Sequence, residues 1–247
     1  MKGLKRFFET VSGGYYTYLL ALLLVLFAMR PYNQGLTYLV IWEFFITLAF
    51  FSAIFNCNHH RKVRICAFIL AFPTLFFSWL ELFYPSGTIF VITISLAIVF
   101  MTLCTVSTLY DVIRRAKVTL ETLRGVVCAY FMIAFIFAYV YYLLEYLIPG
   151  SFHLIIRDTN FVTYSRDLSQ LMYFSFITLL TIGFGDITAT LDFSQTFVVL
   201  EGIIGQFYIA ILVARIVSVY SILADKQLLR DFEKDLEKKK KVNRSKG

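Results

Sequence analysis

Thr178-Leu179-Leu180-Thr181-Ile182-Gly183-Phe184-Gly185-Asp186 is the stretch on which the reading of this chain turns. It closes a short apolar run, about Leu168 to Leu180, and is followed by a long one, about Ser194 to Leu223. Glycine at alternate positions, Gly183 and Gly185, permits backbone conformations that side chains hinder. The short run predicts a helix too brief to cross a bilayer and return, hence a re-entrant one. Non-helical backbone at membrane depth is tolerated only where it is buried in protein or lines a water-filled path, and the segment after that helix fits such a path.

The rest of the chain supplies the membrane. Of 247 residues, 59% are hydrophobic, too many for a soluble domain to cover with a polar surface. Six long apolar segments stand out, about Tyr15 to Met29, Leu36 to Phe55, Ile65 to Phe83 (with Pro73 inside), Thr88 to Leu109, Val126 to Ile148 and Ser194 to Leu223. The first follows Lys2, Lys5 and Arg6 but no small-residue cleavage site, so it is expected to be a retained signal anchor.

Basic residues orient the chain. With the N-terminus in the cytoplasm and six spans, 19 of the 23 lysines and arginines fall inside. Only Arg30, Arg157 and Arg166 fall outside, and Arg215 lies within the last span. This follows the positive-inside rule and accounts for the net charge of +7 without nucleic acid as a partner. Cys57, Cys66, Cys104 and Cys128 lack metal-ligand spacing and read as small apolar fillers. The three histidines are scattered, and His59 and His60 sit in a basic loop. No polar cluster at one membrane face points to an enzyme, and no cofactor is expected. A transporter should show paired broken helices in two repeated halves, and only one interrupted region is present.

Thr181 to Asp186 resembles the TVGYGD signature of the tetrameric potassium-channel superfamily, with isoleucine for valine and phenylalanine for tyrosine. The resemblance extends over the pore unit, about Val126 to Leu223, and the whole chain looks like the six-span bacterial members. It implies that the carbonyls of Thr181, Ile182, Gly183 and Phe184 coordinate potassium, with the Thr181 hydroxyl completing the innermost site and Gly185 ending the filter. A ring of backbone carbonyls can replace an ion's hydration shell. One chain carries one re-entrant loop, so a C4 homotetramer is implied.

The resemblance also assigns supporting positions. Gly205 falls where relatives often carry a hinge glycine in the inner helix, with Gly202 on the same face; close packing through small residues is the equal alternative. Phe184 and Phe174 stand where relatives pair a tyrosine with a tryptophan, so both polar groups are absent together. Tyr173 stands where a tryptophan would bond the filter aspartate, and a Tyr173–Asp186 hydrogen bond is expected. Leu180 replaces the usual threonine or serine before the filter, which leaves a weakly selective cation channel as the alternative function and a transporter without a filter as the second.

The first four spans look like a voltage sensor without its charges. The fourth has no arginine or lysine; Arg114, Arg115 and Lys117 come only at its inner end. Little or no voltage dependence is expected, since gating work requires charge moved through the field. Glu43 and Glu81 are expected to pair through water or lie near the outer interface, with a vestigial sensor site or a proton-sensitive gate as the alternative. Glu201 interrupts the outer half of the last span; Arg215, near its inner face, is read as a tie to Glu121 or Asp111, with snorkelling to lipid as the alternative.

The expected fold is therefore an all-α integral membrane protein with six transmembrane helices, a re-entrant pore helix and a selectivity filter. Residues 1–110 form a four-span peripheral domain, 111–125 a cytoplasmic linker helix, 126–223 the pore domain and 224–247 a cytoplasmic basic tail. The expected function is passive, potassium-selective conduction in the inner (plasma) membrane, in contact with lipid, with both termini cytoplasmic.

Overall fold

The computed structural model of the chain describes residues 15–29, 36–56, 61–114, 120–155, 163–212 and 214. Cys57, His59, His60, Arg157, Arg215 and the basic tail lie outside the described residues. Met1–Gln206 forms one compact unit and Phe207–Gly247 another.

The element order is α1 (Tyr15–Met29), α2 (Leu36–Asn56), α3 (Arg61–Phe83), α4 (Gly87–Arg114), α5 (Leu120–Leu147), β1 (Phe152–His153), α6 (Thr163–Leu179) and β2 (Thr188–Ala189). The last helix, α7, covers Asp192–Leu212. Among the described residues four helices are long and apolar enough to cross a membrane: Val63–Phe83 within α3, all of α4, Glu121–Leu147 within α5, and α7. Shorter apolar stretches, Tyr16–Met29 and Val40–Phe55, occupy α1 and α2.

Several boundaries differ from those read in the sequence. α6 begins at Thr163, five residues before the apolar run at Leu168, because polar residues carry a helix without adding to its hydropathy. Of the interval 111–125, the described residues belong to the flanking helices. Asp111–Arg114 complete α4, Leu120 already begins α5, and 115–119 lie outside the described residues. The chain is also not wholly helical: β1 pairs with β2 antiparallel, Phe152 opposite Ala189 and His153 opposite Thr188.

α5 is the helix on which α1, α4 and α6 all pack. Its sequence explains this: Gly125, Cys128, Ala129, Ala134 and Ala138 are small, and the last four are fully or almost fully buried. Small residues let helix backbones approach where lipid offers no hydrophobic drive to associate. A Cβ at Gly125 would meet Val112 of α4 at 3.0 Å and the Tyr16 ring of α1 at 3.2 Å. At that junction the Tyr16 hydroxyl donates to Asp111 Oδ2 at 2.8 Å, which gives a buried carboxylate a partner. Beside it the Arg124 guanidinium donates to Thr17 Oγ1 at 2.8 Å and pairs with Glu121. Asp111 and Glu121 are thus engaged by α1 and Arg124.

Aromatic side chains fill the seam between α1, α5 and α6. Phe176 of α6 meets Phe27 at 4.8 Å, Phe131 at 5.3 Å and Phe135 at 5.8 Å between ring centroids. Such edge-on pairs each add about 0.5–1.5 kcal/mol beyond area burial. They fix α6 in rotation, and α6 carries the segment that follows it.

Glu43 and Glu81 line a partly open cavity of about 330 Å³ between α2, α3, α4, α5 and α6, with Trp42, Ser78, Tyr139 and Met172 among its walls. The Ser78 hydroxyl donates to Glu43. Both acids face this cavity rather than bare hydrocarbon, which is how an intramembrane carboxylate is normally accommodated. Their direct neighbours are Ser78 for Glu43 and, for Glu81, Thr93.

Candidate functional site

The C-terminus of α6 is closed by a specific hydrogen-bond pattern. Thr181 N–H donates to the Thr178 carbonyl at 2.9 Å and Ile182 N–H to the Ile177 carbonyl at 2.8 Å. A reversed pair of this kind is the Schellman motif, which places one residue in the left-handed region just past the helix. That residue is Thr181, with φ of 58°. Glycine is usual there, and a β-branched residue at positive φ is an outlier worth about 1–2 kcal/mol of strain. Gly183 N–H adds a further bond to the Ile177 carbonyl at 3.3 Å.

The sign of φ then alternates. Thr181, Gly183 and Gly185 have φ of 58°, 55° and 78°, whereas Ile182 and Phe184 between them are not in the positive region. The segment is laid open on one side. Thr181 to Asp186 are all exposed in the single chain, with Phe184 at 68% and Leu180 at 45%. Among the described residues no hydrogen bond is received by the carbonyl oxygens of Thr181, Ile182, Gly183 or Phe184.

Both ends of the segment are anchored. After it, Ile187 is buried and the Tyr173 hydroxyl donates to Asp186 Oδ2 at 2.8 Å, the bond expected from the sequence. The β1–β2 ladder and two serines tie the return strand to the end of α5. Thr190 N–H and Ser194 Oγ–H both donate to the Ser151 carbonyl, at 3.0 and 2.8 Å. The Thr190 hydroxyl donates to the Gly150 carbonyl. Glu145 accepts Gly150 N–H at 2.9 Å and Phe152 N–H at 2.8 Å, closing the turn after α5. Sequence reasoning passed over Glu145, Ser151 and Ser194; an acid a few residues before Ile-Pro-Gly at the end of an apolar helix was the available signal. Removing the Tyr173 hydroxyl (Tyr173→Phe) is expected to cost about 1 kcal/mol, seen as a lower midpoint in thermal unfolding of the purified protein. An unchanged midpoint would mean the bond does not hold the segment.

Phe174 and Phe184 do not meet within the chain. Phe174 is buried against Tyr141 at 5.6 Å and Phe152 at 5.7 Å, in the core between α5, β1 and α6. The apolar ring, freed of any polar group to satisfy, turns inward.

Gly202 and Gly205 part company. A Cβ on Gly202 would meet nothing within 4 Å, whereas one on Gly205 would overlap the Leu179 carbonyl oxygen. The same carbonyl accepts the Tyr130 hydroxyl at 3.0 Å. α7 therefore lies against the last residue of α6 through the missing side chain at Gly205, and of the two readings of that glycine, close packing has a direct contact behind it.

Among the described residues no group of three or more histidine, cysteine or carboxylate side chains is placed to hold a metal ion. The chain has no significant match among curated proteins or solved structures. Residues 126–221, which take in most of α5, all of α6, the 180–187 segment and α7, match the family model described as Ion channel, and over this stretch the chain is similar to ion channels.

Proposed function

We propose that four copies of this chain gather round a common axis as a potassium-selective channel in the plasma membrane. The Thr181–Gly185 backbone is its filter: carbonyls of Thr181, Ile182, Gly183 and Phe184 replace the water around potassium, and the Thr181 hydroxyl serves the innermost site. The observation that carries this reading is the alternating sign of φ at Thr181, Gly183 and Gly185. In an ordinary extended strand successive peptide groups face opposite ways; reversing every second φ turns successive carbonyls to one side. Such a row of oxygens, unbonded and exposed in one chain, needs an ion and neighbouring copies to satisfy it.

The β1–β2 ladder supports re-entry, because it sets the chain before α6 beside the chain after Asp186. α6 then goes into the membrane and the filter comes back out of it. With α1 and α2 crossing as well, the chain has six spans and both termini in the cytoplasm. Gly202, open in the single chain, is the bend point for α7. The exposed Leu180 puts an apolar ring at the inner mouth, and it supports the alternative of weaker discrimination between potassium and sodium.

Purified protein in liposomes under opposed potassium and sodium gradients decides between the two. A reversal potential close to the potassium equilibrium value is expected; one near zero favours the weakly selective channel, and no current rejects both. The conductance is expected to be flat with voltage. Among the basic residues only Arg114 occurs in α4, at its last position, where its guanidinium lies 4.5 Å from the Tyr110 ring centroid. A steep conductance–voltage curve that disappears in Arg114→Gln would contradict this, since each charge crossing the field contributes about 2.3 kcal/mol per 100 mV.

A further inference from the structure

Glu201 is an acid in the middle of an apolar helix, and its surroundings assign it a task. It is fully buried, at 0% exposure, and so is Ser175 of α6. The Tyr141 hydroxyl of α5 donates to Glu201 Oε2 at 2.5 Å. Ser175 Oγ lies within bonding distance of Glu201 Oε1 and, at 2.7 Å, of the Ala134 carbonyl in α5. One carboxyl group thus joins α5, α6 and α7.

We infer that Glu201 is a positioning residue for the filter and that it carries a hydrogen which it donates to Ser175. The count of hydrogens leads there. Tyr141 and Ser175 bring one hydroxyl hydrogen each. The Tyr141 hydroxyl also lies 3.5 Å from the Phe197 carbonyl, which the backbone of α7 already serves. Three shorter contacts each need a hydrogen: Tyr141 to Glu201, Ser175 to Ala134, and Ser175 to Glu201. If Tyr141 gives its hydrogen to Oε2 and Ser175 gives its own to the Ala134 carbonyl, the third contact lacks a hydrogen unless Glu201 supplies it. An ionised carboxylate would leave the Ser175 oxygen facing either the Ala134 carbonyl oxygen or Glu201 Oε1 without a hydrogen between them, in a fully buried place where such a defect costs most. The acid form completes the chain Tyr141 → Glu201 → Ser175 → Ala134, each oxygen donating to the next.

The position of Ser175 makes this matter. It lies between Tyr173, which bonds Asp186, and Ile177, whose carbonyl accepts Ile182 N–H and Gly183 N–H. The junction fixes the rotation and depth of α6, and through it both ends of the 181–186 segment.

This rests on the pore reading for its electrical arm and not for its spectroscopic one. The experiment compares wild type with Glu201→Gln and Glu201→Leu, full-length in liposomes, by reversal potential and by infrared difference spectroscopy at neutral pH. Glutamine keeps one acceptor and one donor, so Glu201→Gln is expected to hold the potassium-over-sodium ratio within about twofold of wild type. Glu201→Leu, which loses both, is expected to lower it about tenfold, the equivalent of one buried hydrogen bond. Wild type is expected to show the carbonyl stretch of an un-ionised acid that is missing in Glu201→Gln. Should Glu201→Leu fail to assemble, Tyr141→Phe takes its place with a smaller drop expected. A ratio unchanged in Glu201→Leu or Tyr141→Phe, one that falls as far in Glu201→Gln as in Glu201→Leu, or an ionised carboxylate in the infrared overturns the inference. A wild type that carries no current rejects the pore reading instead, and the infrared arm alone then supports or overturns the shared hydrogen.

Discussion

Gly183→Ala is expected to lower potassium flux by more than a hundredfold while the protein still assembles. Gly183 has φ of 55°, and no atom lies within 4 Å of where its Cβ would be, so the obstacle is the backbone rather than space in the chain. An L-residue in the left-handed region costs about 1–2 kcal/mol, hence roughly 4–8 kcal/mol around a ring of four. Thr181 already bears one such cost per copy, at φ of 58°. The segment escapes by moving Gly183 out of the left-handed region, which turns the carbonyl away from its neighbours. Losing about 2.8 kcal/mol of ion coordination suffices for a hundredfold effect. Flux from loaded liposomes, with oligomer size checked by crosslinking, measures both parts. Flux retained at wild-type level would mean that this backbone conformation is not needed for conduction.

Gly205→Ala has the second largest expected effect, and on stability first. The new methyl group would overlap the Leu179 carbonyl oxygen, a backbone atom at the end of α6 that cannot rotate aside. Overpacking of this kind costs about 1–3 kcal/mol. Relief requires α7 to move away from α6 or the Leu179 carbonyl to shift, and the second loosens the hydrogen bond that this carbonyl accepts from Tyr130 at 3.0 Å. A thermal midpoint several degrees lower is expected, with reduced conductance in the surviving channels. Gly202→Ala serves as the comparison, since a Cβ there meets nothing in the chain. If the two alanine variants unfold alike, the contact with Leu179 does not govern the placement of α7.

How far the sequence could be read depended on whether the signal was local. The alternating glycines declared the 181–186 segment because their conformational demand lies within five residues. The Tyr173–Asp186 bond was also readable, being 13 residues apart and tied to one motif. The start of α6 was misplaced because hydropathy is blind to a polar helical turn. Phe174 could be matched to a position but not to its actual neighbours, Tyr141 and Phe152, which come from other elements. The role of Glu201 was hidden for the same reason: its partners are 26 and 60 residues away, and only the folded chain brings them together. Gly205 supported a hinge and a packing contact equally until the Leu179 carbonyl was located beside it.

The central claim concerns which atoms face the ion. A structure of the assembled protein in rubidium, with anomalous scattering recorded along the symmetry axis, tests it most directly. The account predicts a column of rubidium peaks on a fourfold axis, level with the carbonyl oxygens of Thr181, Ile182, Gly183 and Phe184. A map in which that backbone is remote from the axis, or in which the axis there is empty of rubidium, would contradict it.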